Sequence, residues 1–134
     1  MGFDVNRVQN SKLLYPEESY VINGALIKVA KALGPGLLEK HYQNALKMEL
    51  KKTGLAFSEQ FYVPIKYDGV KIGCYYLDFL VEGKIVVELK RGKFVPAHIM
   101  DQTKNYMKIL DMKLGIIGCF TYSGVILQRV LNEY

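Results

Sequence analysis

The stretch YYLDFLVEGKIVVELKRG, residues 75–92, constrains the fold more than any other part of the sequence. Two apolar runs flank a turn with glycine at position 83, and glycine allows the left-handed backbone that tight turns need. The pattern predicts a β-hairpin with strands over residues 70–81 and 84–90. Three charged residues interrupt these strands: Asp78, Glu88 and Lys90. The hairpin therefore carries charge where a sheet would bury apolar side chains.

The length of the turn decides whether these charges share a face. Side chains alternate along a strand, so Glu88 and Lys90 lie on the same side. A two-residue loop would turn Asp78 away from them. A three-residue loop over residues 81–83 would set Asp78 opposite Val86 and on the face of Glu88, and we expect this loop because glycine suits its left-handed position. A solvated polar face on an amphipathic strand remains an equal alternative for these charges.

The other hydrophobic patterns predict an α/β fold. Helices are expected over residues 16–33, 37–53 and 97–112, strands over 57–67 and 115–120, and either a strand or a short helix over 125–130. A strand–helix–strand crossover after a meander implies a mixed central sheet flanked by helices. Residues 1–14 indicate an N-terminal arm, and residues 15–134 suit one domain.

Composition narrows the class of function. The net charge of +5, from 18 basic and 13 acidic side chains, favours a polyanionic partner such as nucleic acid. No apolar run approaches the about 20 residues that cross a bilayer, and no secretory signal is present, so we expect a cytoplasmic protein without membrane contact. The two cysteines and two histidines form no zinc spacing, and P-loop, serine esterase and zinc protease motifs are absent from the sequence.

The hairpin charges have a chemical purpose if they lie together. Two adjacent carboxylates repel each other unless a cation lies between them, and Mg²⁺ prefers oxygen ligands while keeping water for a phosphate substrate. An amine beside the metal can orient a water molecule and offset negative charge that develops on phosphorus. Asp78, Glu88 and Lys90 would supply these groups.

These residues also resemble a known family. Asp78 followed after nine residues by Glu88-Leu89-Lys90 resembles the D…ExK motif of the PD-(D/E)xK nuclease superfamily, although Leu77 stands where that name has proline. The segment GLLEKHY, residues 36–42, matches the GxxExxY pattern of a small family within it. Downstream, a predicted helix carries the H…Q…NY pattern: His98, Gln102, Asn105 and Tyr106. The resemblance covers about residues 17–131, and the missing proline is not read as inactivation.

The resemblance implies a restriction-endonuclease-like core that hydrolyses phosphodiester bonds with a metal ion. Carried over by position, the catalytic residues are Glu39, Asp78, Glu88, Lys90 and Gln102. Mg²⁺, with Mn²⁺ as a substitute, would be bound by Asp78, Glu88 and the backbone carbonyl of Leu89, with Glu39 as a further candidate ligand. Nucleic-acid contacts are expected from Arg91, Lys93 and His98.

Some of these assignments have plain structural alternatives. Glu39 is also an ordinary choice for the N-terminal turn of a helix, and Tyr42 is expected to pack with its hydroxyl bonded nearby. The substrate would be nucleic acid, with DNA favoured over RNA, and a homodimer or a partner protein would supply specificity. The alternative function is a catalytically silent nucleic-acid-binding or assembly module with the same fold.

Overall fold

Three helices and five strands make up the part of the chain that the computed structural model describes, residues 14–132. In chain order the elements are α1 (Pro16–Leu33), α2 (Glu39–Thr53), β1 (Phe57–Tyr67), β2 (Val70–Val81), β3 (Ile85–Arg91), α3 (Ala97–Leu110), β4 (Leu114–Thr121) and β5 (Gly124–Leu131). The predicted α/β order is confirmed, and the ambiguous run at 125–130 is a strand. The last predicted helix is shorter than expected, because Asp111 turns left-handed with φ 55° and ends it.

The strands form one mixed sheet in the order β1-β2-β3-β4-β5. Antiparallel pairing joins β1 to β2, β2 to β3 and β4 to β5, whereas β3 and β4 are parallel. Helix α3 makes the crossover that parallel neighbours require. The expected mixed sheet flanked by helices is therefore confirmed.

Helices cover both faces of this sheet. On one face, α1 and α2 bury Leu26 and Leu46 against Val87 and Leu89 of β3. On the other face, α3 buries Met107 in a second apolar cluster with residues of β2, β3 and β4. Burial of each such side chain contributes about 1.5–3 kcal/mol. Strand β3 is thus covered on both sides, so a charged residue within it is unusual.

The β2–β3 loop has the predicted length but a shifted position. Val81 pairs with Ile85, so the three loop residues are 82–84 and not 81–83. Glu82 and Gly83 both take left-handed backbone, with φ 55° and 64°. Glu82 is held there by Ala56, whose carbonyl accepts from the Glu82 amide (2.7 Å) and whose amide donates to Glu82 Oε2 (2.6 Å). Continuing this register places residue 78 opposite residue 88, not opposite 86 as predicted.

The predicted N-terminal arm falls almost entirely outside the described residues. Of residues 1–14 only Leu14 is described, and it packs against the α1–α2 side of the core while its carbonyl accepts from Arg129 Nη2 at 3.3 Å. Within residues 14–132, no helix has the length and apolar character needed to span a membrane.

Candidate active site

At Asp78 the backbone pairing between β2 and β3 ends, and a hydrogen bond to the Asp78 side chain takes its place. The paired residues run from Val81–Ile85 to Phe79–Val87. One step further, Asp78 Oδ2 accepts a hydrogen bond from the Leu89 amide at 2.7 Å. A carboxylate that accepts from a backbone amide makes a short, charge-assisted bond. The bond therefore fixes the Asp78 carboxylate beside the end of β3.

Strand β2 reverses its faces at Asp78. Phe79 packs in the cluster under α1 and α2, whereas Leu77 packs in the cluster under α3, although the two residues share parity. On β1, Gln60 has a left-handed φ of 53° between the pairs that contain residues 77 and 79. This local irregularity turns the Asp78 side chain toward β3. Without it, the backbone pairing of β2 with β3 would have continued through Asp78.

Glu88 is the most deeply buried charged residue among those described, with only 2% of its surface exposed. Burial raises the pKa of its carboxyl to about 10, and the negative charge of Asp78 adds to the rise, while Lys90 opposes it. Glu88 Oε1 is buried without a hydrogen-bond partner. The structure thus brings Asp78, Glu88 and Lys90 together around one unpaired carboxylate oxygen.

Two stacked tyrosines form the wall beside Glu88. The ring centroids of Tyr75 and Tyr106 are 4.1 Å apart with planes 10° from parallel. The Tyr75 hydroxyl donates to Glu88 Oε2 at 3.4 Å, and burial together with the nearby carboxylates raises the pKa of that hydroxyl, which stays a donor. Sequence reasoning missed Tyr75, because alternation from Asp78 assigns it to the opposite face of β2.

The oxygen atoms at this place fit a hard divalent cation. Glu88 Oε1 is buried with no lysine, arginine or hydroxyl of the described chain bonded to it, and Asp78 lies within hydrogen-bonding distance of the Glu88 carboxyl. The Leu89 amide points at Asp78, and the carbonyl of the same strand residue points to the same side. Within residues 14–132 no third Asp, Glu, His or Cys joins the two acids in a metal-binding group. Two carboxylates are enough for Mg²⁺, which keeps several waters.

Glu39 and Gln102 are exposed residues of the two helices that flank the sheet. Glu39 is the first residue of α2 and is exposed. Burial raises the pKa of the Cys119 thiol, and the negative charge of Glu39 raises it further. Cys119 is the partner of Lys90 in the parallel pairing of β3 and β4, so Glu39 acts on a side chain next to Lys90. Gln102 is exposed on α3, and within residues 14–132 it makes no hydrogen bond to either acid.

The family of the chain follows from comparison with known proteins. Residues 16–130 match the PD-(D/E)XK nuclease superfamily, which is most of the chain and contains every residue of the acid pair and its lysine. The chain belongs to the PD-(D/E)XK nuclease superfamily. This membership confirms the resemblance at the level of the superfamily and agrees with the restriction-endonuclease-like sheet.

A comparison with solved structures adds information on the fold alone. No curated protein matches the chain. The crystal structure of SSO0001 is similar over 92% of this chain and 63% of that chain, with a TM-score of 0.56 and 16% sequence identity. This PD-(D/E)XK chain therefore spans less than two thirds of the length of SSO0001, and an identity this low supports similarity of fold only.

The GxxExxY segment of this PD-(D/E)XK protein supports the loop between α1 and α2. Tyr42 is buried, and its ring stacks on Phe120 with centroids 4.1 Å apart. The Tyr42 hydroxyl donates to the Gly34 carbonyl at 2.7 Å and accepts from the Leu37 amide at 3.2 Å. The expectation that Tyr42 packs is confirmed, and its bonds hold the α1–α2 loop in place.

The predicted nucleic-acid contacts separate into two places. Arg91 Nη1 donates to the Leu37 carbonyl at 2.9 Å, and Arg91 and Lys93 both line a cleft of about 620 Å³ at the end of β3. His98 is exposed on the first turn of α3 and does not line this cleft. The basic residues after Lys90 thus continue from the acid pair into a concave surface, while His98 lies apart.

Proposed function

We propose that this PD-(D/E)XK protein is a magnesium-dependent nuclease of the GxxExxY group that hydrolyses phosphodiester bonds of DNA. The observation that carries the proposal is Glu88 Oε1, a buried and unpaired carboxylate oxygen beside a second carboxylate and a lysine. Natural proteins rarely leave a buried polar atom without a partner, and a bound ion beside the second carboxylate would supply one for Glu88. The superfamily supports a nuclease-type reaction.

Asp78, Glu88 and the Leu89 carbonyl would hold the metal ion. A bound Mg²⁺ supplies Lewis-acid stabilisation of the phosphate and lowers the pKa of a coordinated water. Mn²⁺ would substitute, because it also accepts carboxylate and water ligands. The bond from the Leu89 amide to Asp78 Oδ2 fixes the Asp78 carboxylate beside Glu88, where both acids would face the same ion.

Lys90 acts on the phosphate from beside the acids. Lys90 is half-buried, and its positive charge favours the ionised form of Glu88. In this position the ammonium would steer the attacking water toward phosphorus and offset the negative charge that develops there. Tyr75 keeps Glu88 Oε2 occupied by a hydrogen bond, which leaves Oε1 as the oxygen that faces a cation.

The remaining predicted residues keep the roles that the resemblance implies. We propose that Glu39 is a further ligand of the ion, that Gln102 is a supporting polar group at the site, and that Arg91, Lys93 and His98 contact phosphates. Net charge +5 supports a nucleic-acid partner, and a second copy of the chain or a partner protein would complete specificity.

A cleavage assay over a panel of labelled substrates tests this function. Single-stranded and duplex DNA and RNA are incubated with purified protein in Mg²⁺, Mn²⁺ or EDTA. We expect cleavage of DNA in either metal and none in EDTA or with Asp78→Asn. RNA cleavage with intact DNA would correct the substrate, and binding without cleavage of any substrate would assign a silent binding module instead.

A further inference from the structure

The cleft at the end of β3 has features that the acid pair does not use. Its lining combines the α1–α2 loop, the residues after β3 and the β4–β5 turn. Within the described chain the lining holds two cations, Arg91 and Lys93, and no acidic side chain. Positive charge without compensation in a concave surface attracts an anionic ligand.

Tyr122 stands at the rim of this cleft with 91% of its surface exposed. Its backbone is well fixed, because Thr121 Oγ1 donates to the Gly124 carbonyl at 2.7 Å and accepts from the Ser123 amide at 3.1 Å. Phe94, which follows Lys93, is also 65% exposed. A rigid turn thus presents a bare aromatic ring beside the cations.

The floor of the cleft is apolar and rigid. Tyr42 and Phe120, both buried, line it as a stacked pair, and the bond from Arg91 to the Leu37 carbonyl joins β3 to the opposite wall. A volume of about 620 Å³ lies within the about 300–1,000 Å³ of pockets that hold a single small ligand. The cleft therefore has the volume to hold an unpaired nucleotide.

The cleft and the acid pair lie on opposite faces of the sheet near the end of β3. Lys90 and Arg91 are consecutive in β3, so their side chains point to opposite faces, one toward Glu88 and the other into the cleft. A strand of nucleic acid with its scissile phosphate at Lys90 would pass around the end of β3 to place a further nucleotide in the cleft.

We propose that this cleft binds an unpaired nucleotide of a single-stranded DNA segment, whose base stacks on Tyr122 and whose phosphate contacts Arg91 and Lys93. The inference rests on the proposed function and deepens it, since it makes single-stranded ends or overhangs the preferred substrate. Proteins that bind single strands combine a basic groove with aromatic rings on which bases stack.

Fluorescence anisotropy in EDTA tests the inference without cleavage. The probes are a short fluorescein-labelled DNA strand, the same strand in a blunt duplex, and that duplex with an overhang. Wild type is compared with Tyr122→Ala, Tyr122→Phe and Tyr20→Ala, because Tyr20 is 81% exposed on α1 and does not line the cleft. Loss of one stacked base, about 1–3 kcal/mol, corresponds to a loss of affinity of about 5-fold to 160-fold.

We expect Tyr122→Ala to weaken binding of the single strand and the overhang by that factor and to leave the blunt duplex unchanged. Tyr122→Phe and Tyr20→Ala should bind as wild type does. Equal affinities of wild type and Tyr122→Ala for the single strand, a uniform loss on all probes, or no binding of the single strand would each overturn the inference.

The two proposals fail in distinguishable ways. Binding that depends on Tyr122 in a protein that never cleaves would remove the nuclease function and retain the cleft as a single-strand site. Metal-dependent cleavage with no dependence of binding on Tyr122 would retain the nuclease and remove the inference.

Discussion

The buried Glu88 makes the metal-free protein less stable as the pH rises, and Glu88→Gln should remove this effect. In the unfolded chain the carboxyl ionises near its ordinary pKa of 4.5, whereas in the folded protein burial and the charge of Asp78 raise its pKa to about 10. Between these values the folded state holds a proton that the unfolded state has released. Stability therefore falls as the pH rises through this window.

The size of the effect at pH 7 depends little on the folded pKa, provided that it lies above 7. The relevant span is the 2.5 pH units from 4.5 to 7, and each unit is about 1.4 kcal/mol. Glu88 should thus lower the free energy of unfolding at pH 7 by about 3 kcal/mol relative to its value well below pH 4.5. Glutamine has the same shape and no proton to gain, so Glu88→Gln should recover about this amount.

Urea denaturation in EDTA at pH 5 and pH 7 measures the difference. We expect the stability gain of Glu88→Gln over wild type to grow by about 2–3 kcal/mol between the two pH values, which corresponds to roughly 10 °C in Tm for a domain of this size. Glu17→Gln, an exposed acid on α1, is the matched control and should show no such growth. A gain that stays the same from pH 5 to pH 7 would refute a protonated Glu88 in the folded protein.

The other predictions concern the metal and the packing around the site. Mg²⁺ binding at pH 7 should release about one proton from wild type and none from Glu88→Gln, as measured by calorimetry in buffers of different ionisation enthalpy. Equal proton release from the two proteins would contradict a protonated Glu88 in the metal-free protein. Tyr42→Phe should lower the free energy of unfolding, measured by urea denaturation, by about 1–3 kcal/mol, because the Tyr42 hydroxyl makes two hydrogen bonds to the α1–α2 loop. An unchanged free energy of unfolding would mean that these two bonds do not stabilise the loop. Gly118→Ala should cost about 1–3 kcal/mol in the same assay, because a Cβ there would lie 2.8 Å from Leu26 Cδ2, whereas Gly24→Ala, with open space, should not destabilise the protein.

Local turn chemistry made most of the sheet predictable. Asp68-Gly69 forms the expected two-residue turn, with left-handed φ values of 49° and 74°, and Tyr67 pairs with Val70 across it. Gly83 likewise takes the left-handed conformation that the hairpin needs. Since these signals lie within a few residues of one another, a single sequence is enough to read them.

The shift of the second hairpin loop was not readable in the same way. Its position depends on the bonds between Glu82 and Ala56, which are 26 residues apart. The alternation rule failed at Asp78 for a related reason, because Gln60 on the neighbouring strand distorts the pairing there. Such contacts between distant parts of the chain decide the register and leave no local mark.

The candidate site likewise contains positions that the sequence predicts and positions that depend on packing between distant elements. Glu88 and Lys90 lie together because they are two positions apart on one strand, which the sequence states directly. The positions of Glu39 and Gln102 depend on how two helices pack on the sheet, and motif order alone gave them no geometry. Tyr75 reaches Glu88 only because β2 reverses its faces at Asp78.

Metal-dependent cleavage by wild type, Lys90→Ala and Glu88→Gln, purified in parallel, tests the central claim most directly. The account predicts cleavage of labelled DNA by wild type in Mg²⁺, a rate lower by a factor on the order of 10² or more for Lys90→Ala, and loss of both turnover and metal binding for Glu88→Gln. DNA binding in EDTA should survive in Lys90→Ala, because other cations share the phosphate contacts. Equal rates in all three proteins, or binding by wild type with no cleavage in either metal, would contradict the account.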